Sequence, residues 1–260
     1  VMKFSDLLMT GKDSRLLQPT LFDLLANRRI ELLQELEQAS NEKNPLNNES
    51  IFSSAADFLN FRNDTLYKKS VQNQIIETYQ QLLFFRISEN NIPALIHTDL
   101  QRLKYVKENT ESQKADSLYF NALNALENKY SDNEYVVEVM VEKVNYLLSN
   151  SQIANYNKRA YEICVNGIAK FPHYQRINQL KNIQKSILQK NIQINYNNFS
   201  SPGVNLNINL TTRNIKSLQL KVYRVNATAY QYQIYKQNRK EKNELYRDCQ
   251  LIETRDVKIQ

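Results

Sequence analysis

The chain reads as α+β in series: an all-α array of helical hairpins over residues 1–190, then part of an antiparallel β-sandwich over residues 191–260. Three observations predict this. Up to residue 188, apolar residues recur every three or four positions, as in Ile177, Leu180, Ile183 and Ile187, which sets them along one face of a helix. Beyond it the step is two: Ile192-Gln193-Ile194-Asn195-Tyr196 and Val204-Asn205-Leu206-Asn207-Ile208-Asn209-Leu210 alternate apolar and polar residues, as a half-buried strand requires. Before the switch, paired helical segments with short turns return at about 40 residues, the spacing of an α-solenoid.

In chain order, residues 4–9 form a short apolar helix candidate closed by Gly11. Thr20 followed by Asp23 has the spacing of a capping box, and the helix it opens runs to about residue 38 with Leu21, Leu25, Leu32 and Leu36 on one stripe. Residues 40–50 turn polar and read as a solvated loop, and residues 51–61 form a short apolar piece. Val71, Ile75, Tyr79, Leu82 and Leu83 mark a long helix ending near Asn90. Pro93, tolerated in a first turn, opens the next helix with Ile96, Leu100, Leu103 and Val106. A second pair spans about 111–130 and 133–148, and a third about 154–170 and 173–188.

The later pairs turn alike: Lys129-Tyr130-Ser131 and Lys170-Phe171-Pro172 stand 41 residues apart, each with an aromatic residue before a helix stopper. With Ala160-Tyr161 upstream, the third pair resembles a degenerate tetratricopeptide hairpin. Strands are expected near 191–196, 203–210, 216–225 and 249–260, with Thr211-Thr212-Arg213-Asn214 as a polar turn and residues 237–243 as a charged loop tip. Without a crossover helix between them, these strands form antiparallel neighbours.

Composition narrows the function. The net charge is +7, and residues 191–260 hold 11 basic against 5 acidic side chains, so that part carries +6 of it. A basic β-unit admits nucleic acid or an anionic surface as a partner. Tyr230, Tyr232 and Tyr235 beside Lys236, Arg239 and Lys240 have the interleaving that grips single strands, but solvated charge and core tyrosines account for both features, so no nucleic-acid partner is expected. The three glycines, at 11, 167 and 203, form no phosphate-cradling loop.

His97 and His173 stand in different hairpins without a ligand-spaced His or Cys, so no metal site is expected; His97 reads as a helix-surface residue, His173 as capping or exposed. Cys164 and Cys249 read as small buried hydrophobes. Glu134, Glu138 and Glu142 beside Lys143 read as a solvated stripe. No catalytic, cofactor-binding or metal residue is assigned.

Three stretches together resemble the N-terminal region of alpha-2-macroglobulin-like proteins of the Bacteroidetes type. They are Pro19-Thr20-Leu21-Phe22-Asp23-Leu24-Leu25-Ala26-Asn27-Arg28; Thr78-Tyr79-Gln80-Gln81-Leu82-Leu83-Phe84-Phe85 with Ala94-Leu95-Ile96-His97-Thr98-Asp99-Leu100-Gln101-Arg102-Leu103; and Ala160-Tyr161-Glu162-Ile163-Cys164 with Phe171-Pro172, Pro202 and Leu218-Gln219-Leu220-Lys221-Val222-Tyr223-Arg224-Val225. The resemblance implies that residues 191–260 begin a macroglobulin-type sandwich. It also implies a non-enzymatic module of a cell-envelope protein, periplasmic or surface-exposed and lipid-anchored upstream of this stretch, that traps and inhibits proteases. The implied partners are the trapped proteases and neighbouring domains of the same chain. The thioester motif of some relatives, Cys-x-Glu-Gln, is absent: Cys164 precedes Val165-Asn166-Gly167 and Cys249 precedes Gln250-Leu251-Ile252. The competing expectation is a helical-repeat adaptor that binds a peptide or protein partner.

Overall fold

The computed structural model describes residues 14–40, 46–62, 70–196, 203, 207–224 and 249–259. The chain divides into two compact units, Val1–Ile187 and Leu188–Gln260. The expected helix at 4–9, the loop tip at 237–243 and Tyr230, Tyr232 and Tyr235 lie outside the described residues.

The first unit is helical: α1 (Ser14–Leu17), α2 (Leu21–Ala39), a 3-10 turn (Glu49–Phe52), α3 (Ala55–Phe58), α4 (Val71–Ser88), α5 (Ile92–Glu108), α6 (Ala115–Lys129), α7 (Val136–Ser149), α8 (Tyr156–Lys170) and α9 (Asn178–Leu188). Local chemistry sets the starts. Thr20 Oγ1 accepts from the Asp23 amide at 3.3 Å while Asp23 Oδ2 accepts from the Thr20 amide at 2.8 Å, the reciprocal bonds of a capping box. Ser70 caps α4, and Asn91 caps α5 with Pro93 in its first turn, where the missing N–H costs nothing. Asn90, between α4 and α5, and Asn155, before α8, take left-handed backbone conformations (φ 53° and 56°) that asparagine tolerates better than most residues.

α2 packs on α4, α4 on α5, α5 on both α6 and α7, α6 on α7, and α7 on α8. A single apolar core runs through the stack, from Ala26 and Ile30 through Ile75, Leu82, Leu103, Leu123, Val137 and Val144 to Cys164 and Leu180. At its far end Gly167 of α8 admits close approach. A Cβ there would stand 2.6 Å from Leu180 Cδ1 and 2.8 Å from Met140 Sδ.

One stripe is corrected. Leu21, Leu25, Leu32 and Leu36 share a helix face as expected, but that face is exposed, and α2 buries Asp23, Ala26, Ile30 and Leu33 instead. The cause lies in the partner helix: Arg86 of α4 binds Asp23, and that bond turns the Asp23 side of α2 inward.

The second unit holds β1 (Asn191–Tyr196), β2 (Ile208–Arg213), β3 (Ser217–Arg224) and β4 (Gln250–Lys258). They form two antiparallel two-stranded sheets, β1–β2 and β3–β4. The register puts Ile192 opposite Thr212, Ile194 opposite Leu210 and Tyr196 opposite Ile208, so each apolar residue of β1 meets the apolar side of β2. In the second sheet Leu218 faces Val257, and a register shift between Val222 and Tyr223 brings Tyr223 opposite Leu251. Thr211, Thr212 and Arg213, expected as a turn, belong to β2. The reversal instead centres on Asn214, at φ 59°, whose Nδ2 donates to the Gln189 carbonyl.

Candidate functional site

Two arginines sit where an amphipathic pattern predicts apolar residues. Arg86, on α4 behind Leu82 and Leu83, is fully buried. Its NH2 group reaches Asp23 Oδ2 at 2.5 Å and Thr20 Oγ1 at 3.0 Å, and its NH1 reaches Glu89 Oε2 at 2.7 Å. The guanidinium also lies 4.5 Å from the centre of the Phe85 ring. A buried charge survives only when paired and hydrogen-bonded. The N-terminal cap of α2 thus doubles as the acceptor for a cation 63 residues away.

Arg102 of α5 repeats the device. Its Nε donates to Asp99 Oδ1 at 2.8 Å, while NH1 and NH2 donate to the carbonyls of Ile51 and Ser53 at 2.6 and 3.0 Å. The short 3-10 turn is tied down through its own carbonyls, and the Phe58 ring covers the guanidinium at 4.4 Å. Beside this pair a cavity of about 50 Å³ opens between Phe52, Ala55, Leu95 and Leu126, with Lys129 and Tyr130 also on its wall. That is room for a few water molecules. Burial raises the Tyr130 phenol, and the Asp99 charge adds to it. Asp99 and Arg102 neutralise one another and Arg102 also holds backbone carbonyls, so the cavity presents no free charge of theirs to a ligand.

On another face of α5 stand His97 and Lys104, and Lys104 faces α7. Here the stripe expected to be solvated is corrected in part: Glu134 is exposed as expected, but Glu138, Glu142 and Lys143 are not. Glu142 accepts from Tyr119 Oη at 2.6 Å and pairs with Lys104 at 2.5 Å; Glu138 accepts from Tyr174 Oη at 2.9 Å and pairs with Arg176 at 3.4 Å; Lys143 is buried and pairs with Glu127. Tyr105 Oη completes the pattern by donating to Glu37 of α2 at 3.0 Å. Three tyrosines therefore bury their rings in the core and give their hydroxyl protons to glutamates on other helices. Burial first, and the neighbouring glutamate second, raise the phenols of Tyr105, Tyr119 and Tyr174 far above the ordinary range.

His97 is half-buried, which corrects its reading as a surface residue. Burial pushes its imidazole down to about 4; Arg176 and Lys104 act in the same direction, and Asp23 opposes them. His173 is exposed, as expected. Cys164 is buried, with its thiol pushed up to about 11 by burial, whereas Cys249 is only partly covered; neither is in a disulfide. Among the described residues no group of three or more His, Cys, Asp or Glu side chains has the arrangement of a metal site.

Arg86 and Arg102, which organise the unit, interrupt apolar stripes; their carboxylates at three-residue spacing, Glu89 and Asp99, are legible locally, but the distant partners Asp23, Ile51 and Ser53 are not. Comparison with protein-family models, with curated proteins and with solved structures found no match. What the geometry offers chemically is cohesion: charges and phenols are spent on holding helices together.

Proposed function

We propose that this chain is a non-catalytic module of an alpha-2-macroglobulin-like protein that traps and inhibits proteases at the cell envelope, in a parent anchored by lipid. The observation that carries the reading is the order of parts: a helical array opened by the Thr20–Asp23 cap, followed from Asn191 by antiparallel strands of alternating polarity. In this reading β1 to β4 begin a macroglobulin-type sandwich and the helical unit is an accessory module that precedes it in the chain. The polar groups of the helical unit fit that role, since its buried ionic groups tie α2 to α4, α6 to α7, and the 3-10 turn to α5.

The hairpins are taken as tetratricopeptide-like. Their turns share a physical detail: Lys129 lies 5.5 Å from the Tyr130 ring centre, and Lys170 lies 5.5 Å from that of Phe171, the same cation–aromatic stopper 41 residues on. No helix among the described residues is long and apolar enough to cross a membrane.

The experiment is protease protection by the full-length protein, read on a large protein substrate and a small peptide substrate in parallel. Selective loss of large-substrate cleavage supports entrapment; equal cleavage with and without the protein removes it.

A second reading, a helical-repeat adaptor for a peptide or protein partner, is favoured by one observation. Among the described residues the buried members of the apolar core lie within residues 26–180, so the helical unit has a core of its own. Affinity capture with residues 1–187, followed by identification of what is retained, tests it.

A further inference from the structure

The exposed face of α2 carries an unusual row. Leu21, Leu25, Leu32 and Leu36 are 48%, 60%, 45% and 58% exposed, while the opposite face is buried on α4. At 100° per residue the four leucines fall within an arc of about 60° and extend over about 22 Å. Single exposed leucines are ordinary, but a continuous row along a helix marks an interaction surface.

We infer that this row is the self-association face of the protein, and that α2 pairs antiparallel with α2 of a second copy. The spacing itself is self-complementary. A two-fold axis crossing α2 between Arg28 and Arg29 sets Leu21 against the partner's Leu36 and Leu25 against the partner's Leu32, so every leucine meets a leucine, as an isologous interface demands.

Charge follows the same symmetry. Arg28 and Glu31, paired at 2.9 Å within α2 and each 59% exposed, lie on one flank of the row. The two-fold brings Arg28 alongside its own copy, offset by about 1.5 Å along the axis, and alongside the partner's Glu31, offset by about 3 Å, so each carboxylate stands beside both arginines of that flank. Each arginine thereby gains a second carboxylate. On the other flank Arg29, which has no ion-pair partner among the described residues, meets its own copy. These two like-charge contacts, together with the small area of a single helix pair, make the association weak and concentration-dependent.

The test is sedimentation velocity of the 260-residue chain from low micromolar to several hundred micromolar. A monomer–dimer equilibrium is expected. Leu25→Glu with Leu32→Glu should weaken it at least about tenfold without changing the far-ultraviolet circular dichroism, because both side chains are exposed and removed only from the interface. Arg29→Gln should tighten it.

Cross-linking reads the register. In a Cys249→Ser background, chains carrying Leu25→Cys mixed with chains carrying Leu32→Cys should form disulfide-linked dimers, and Leu25→Cys alone should not. Monomer at every concentration overturns the proposal, as it would if the row serves a segment of the same chain or another protein. So does a dimer indifferent to the glutamate pair, or Leu25→Cys linking to itself as readily as the mixture.

Discussion

Asp23 of α2 and Arg86 of α4 meet at 2.5 Å with their side chains 2% and 0% exposed, and this contact decides which side of α2 becomes core. The same Asp23 oxygen accepts the Thr20 amide, so helix start and helix docking depend on one carboxylate. Asp23→Ala should leave Arg86 buried without its main counter-charge and cost about 3–5 kcal/mol. Thr20→Ala removes chiefly the cap and should cost about 1 kcal/mol. Urea unfolding followed at 222 nm measures both, and equal losses would contradict the double role assigned to Asp23.

The tyrosine–glutamate contacts predict behaviour in alkali. The phenols of Tyr105, Tyr119 and Tyr174 are raised in the folded state, so the stability they contribute is complete below the unfolded tyrosine pKa of about 10 and is lost as pH rises beyond it. Phenolate absorbance of these residues should therefore appear together with loss of helix, not before it. Tyr119→Phe, which strands Glu142 without its phenol donor, should cost about 1.5–3 kcal/mol at neutral pH. A spectrophotometric titration paired with circular dichroism checks the first, and thermal melts the second.

For His97 the sign is opposite. Its pKa falls from the ordinary 6.5 to about 4 on folding. The imidazole is neutral in both states above 6.5, so its full contribution is present there; between 6.5 and 4 only the unfolded chain takes the proton, and stability drops through that window. His97→Gln should flatten the fall in melting temperature between pH 7 and pH 4.5. An identical slope in both proteins would place His97 outside the effect.

Gly167→Ala tests the packing of α8. Alanine in a helix interior ordinarily gains up to about 1 kcal/mol over glycine. Here its methyl group would meet Leu180 and Met140, both held in the core, and overpacking of this kind costs about 1–3 kcal/mol. A net loss of about 1 kcal/mol is expected by chemical denaturation; a stabilised variant would mean that the contact relaxes freely.

These four sites also mark where the sequence was legible. Periodicity and caps found α2 and α4 to α9 within a few residues, because the apolar repeats are strong and because Thr20 and Pro93 punctuate them. β1 was equally plain, as its alternation is strict. Periodicity names the apolar rows of a helix without saying which one is buried, and α2 has two: the choice between the Leu25 side and the Ile30 side is made by Arg86, sixty-three residues away. Likewise Glu138 and Glu142 look solvated until Tyr174 and Tyr119 arrive from other parts of the chain. Thr211 and Thr212 read as turn residues because they are polar, although their β-branched side chains suit the strand in which they lie. Tertiary partners, invisible locally, account for the differences at α2 and at Glu138 and Glu142.

Membership in a protease trap, proposed above, is tested by differential protection. Full-length protein is incubated with proteases of several mechanistic classes, and residual activity is followed on casein and on a short chromogenic peptide. The account predicts that casein cleavage is suppressed while peptide cleavage persists, the mark of a protease enclosed but still active. Full activity on both substrates across the panel would contradict it, and loss of both would point to active-site inhibition in place of entrapment.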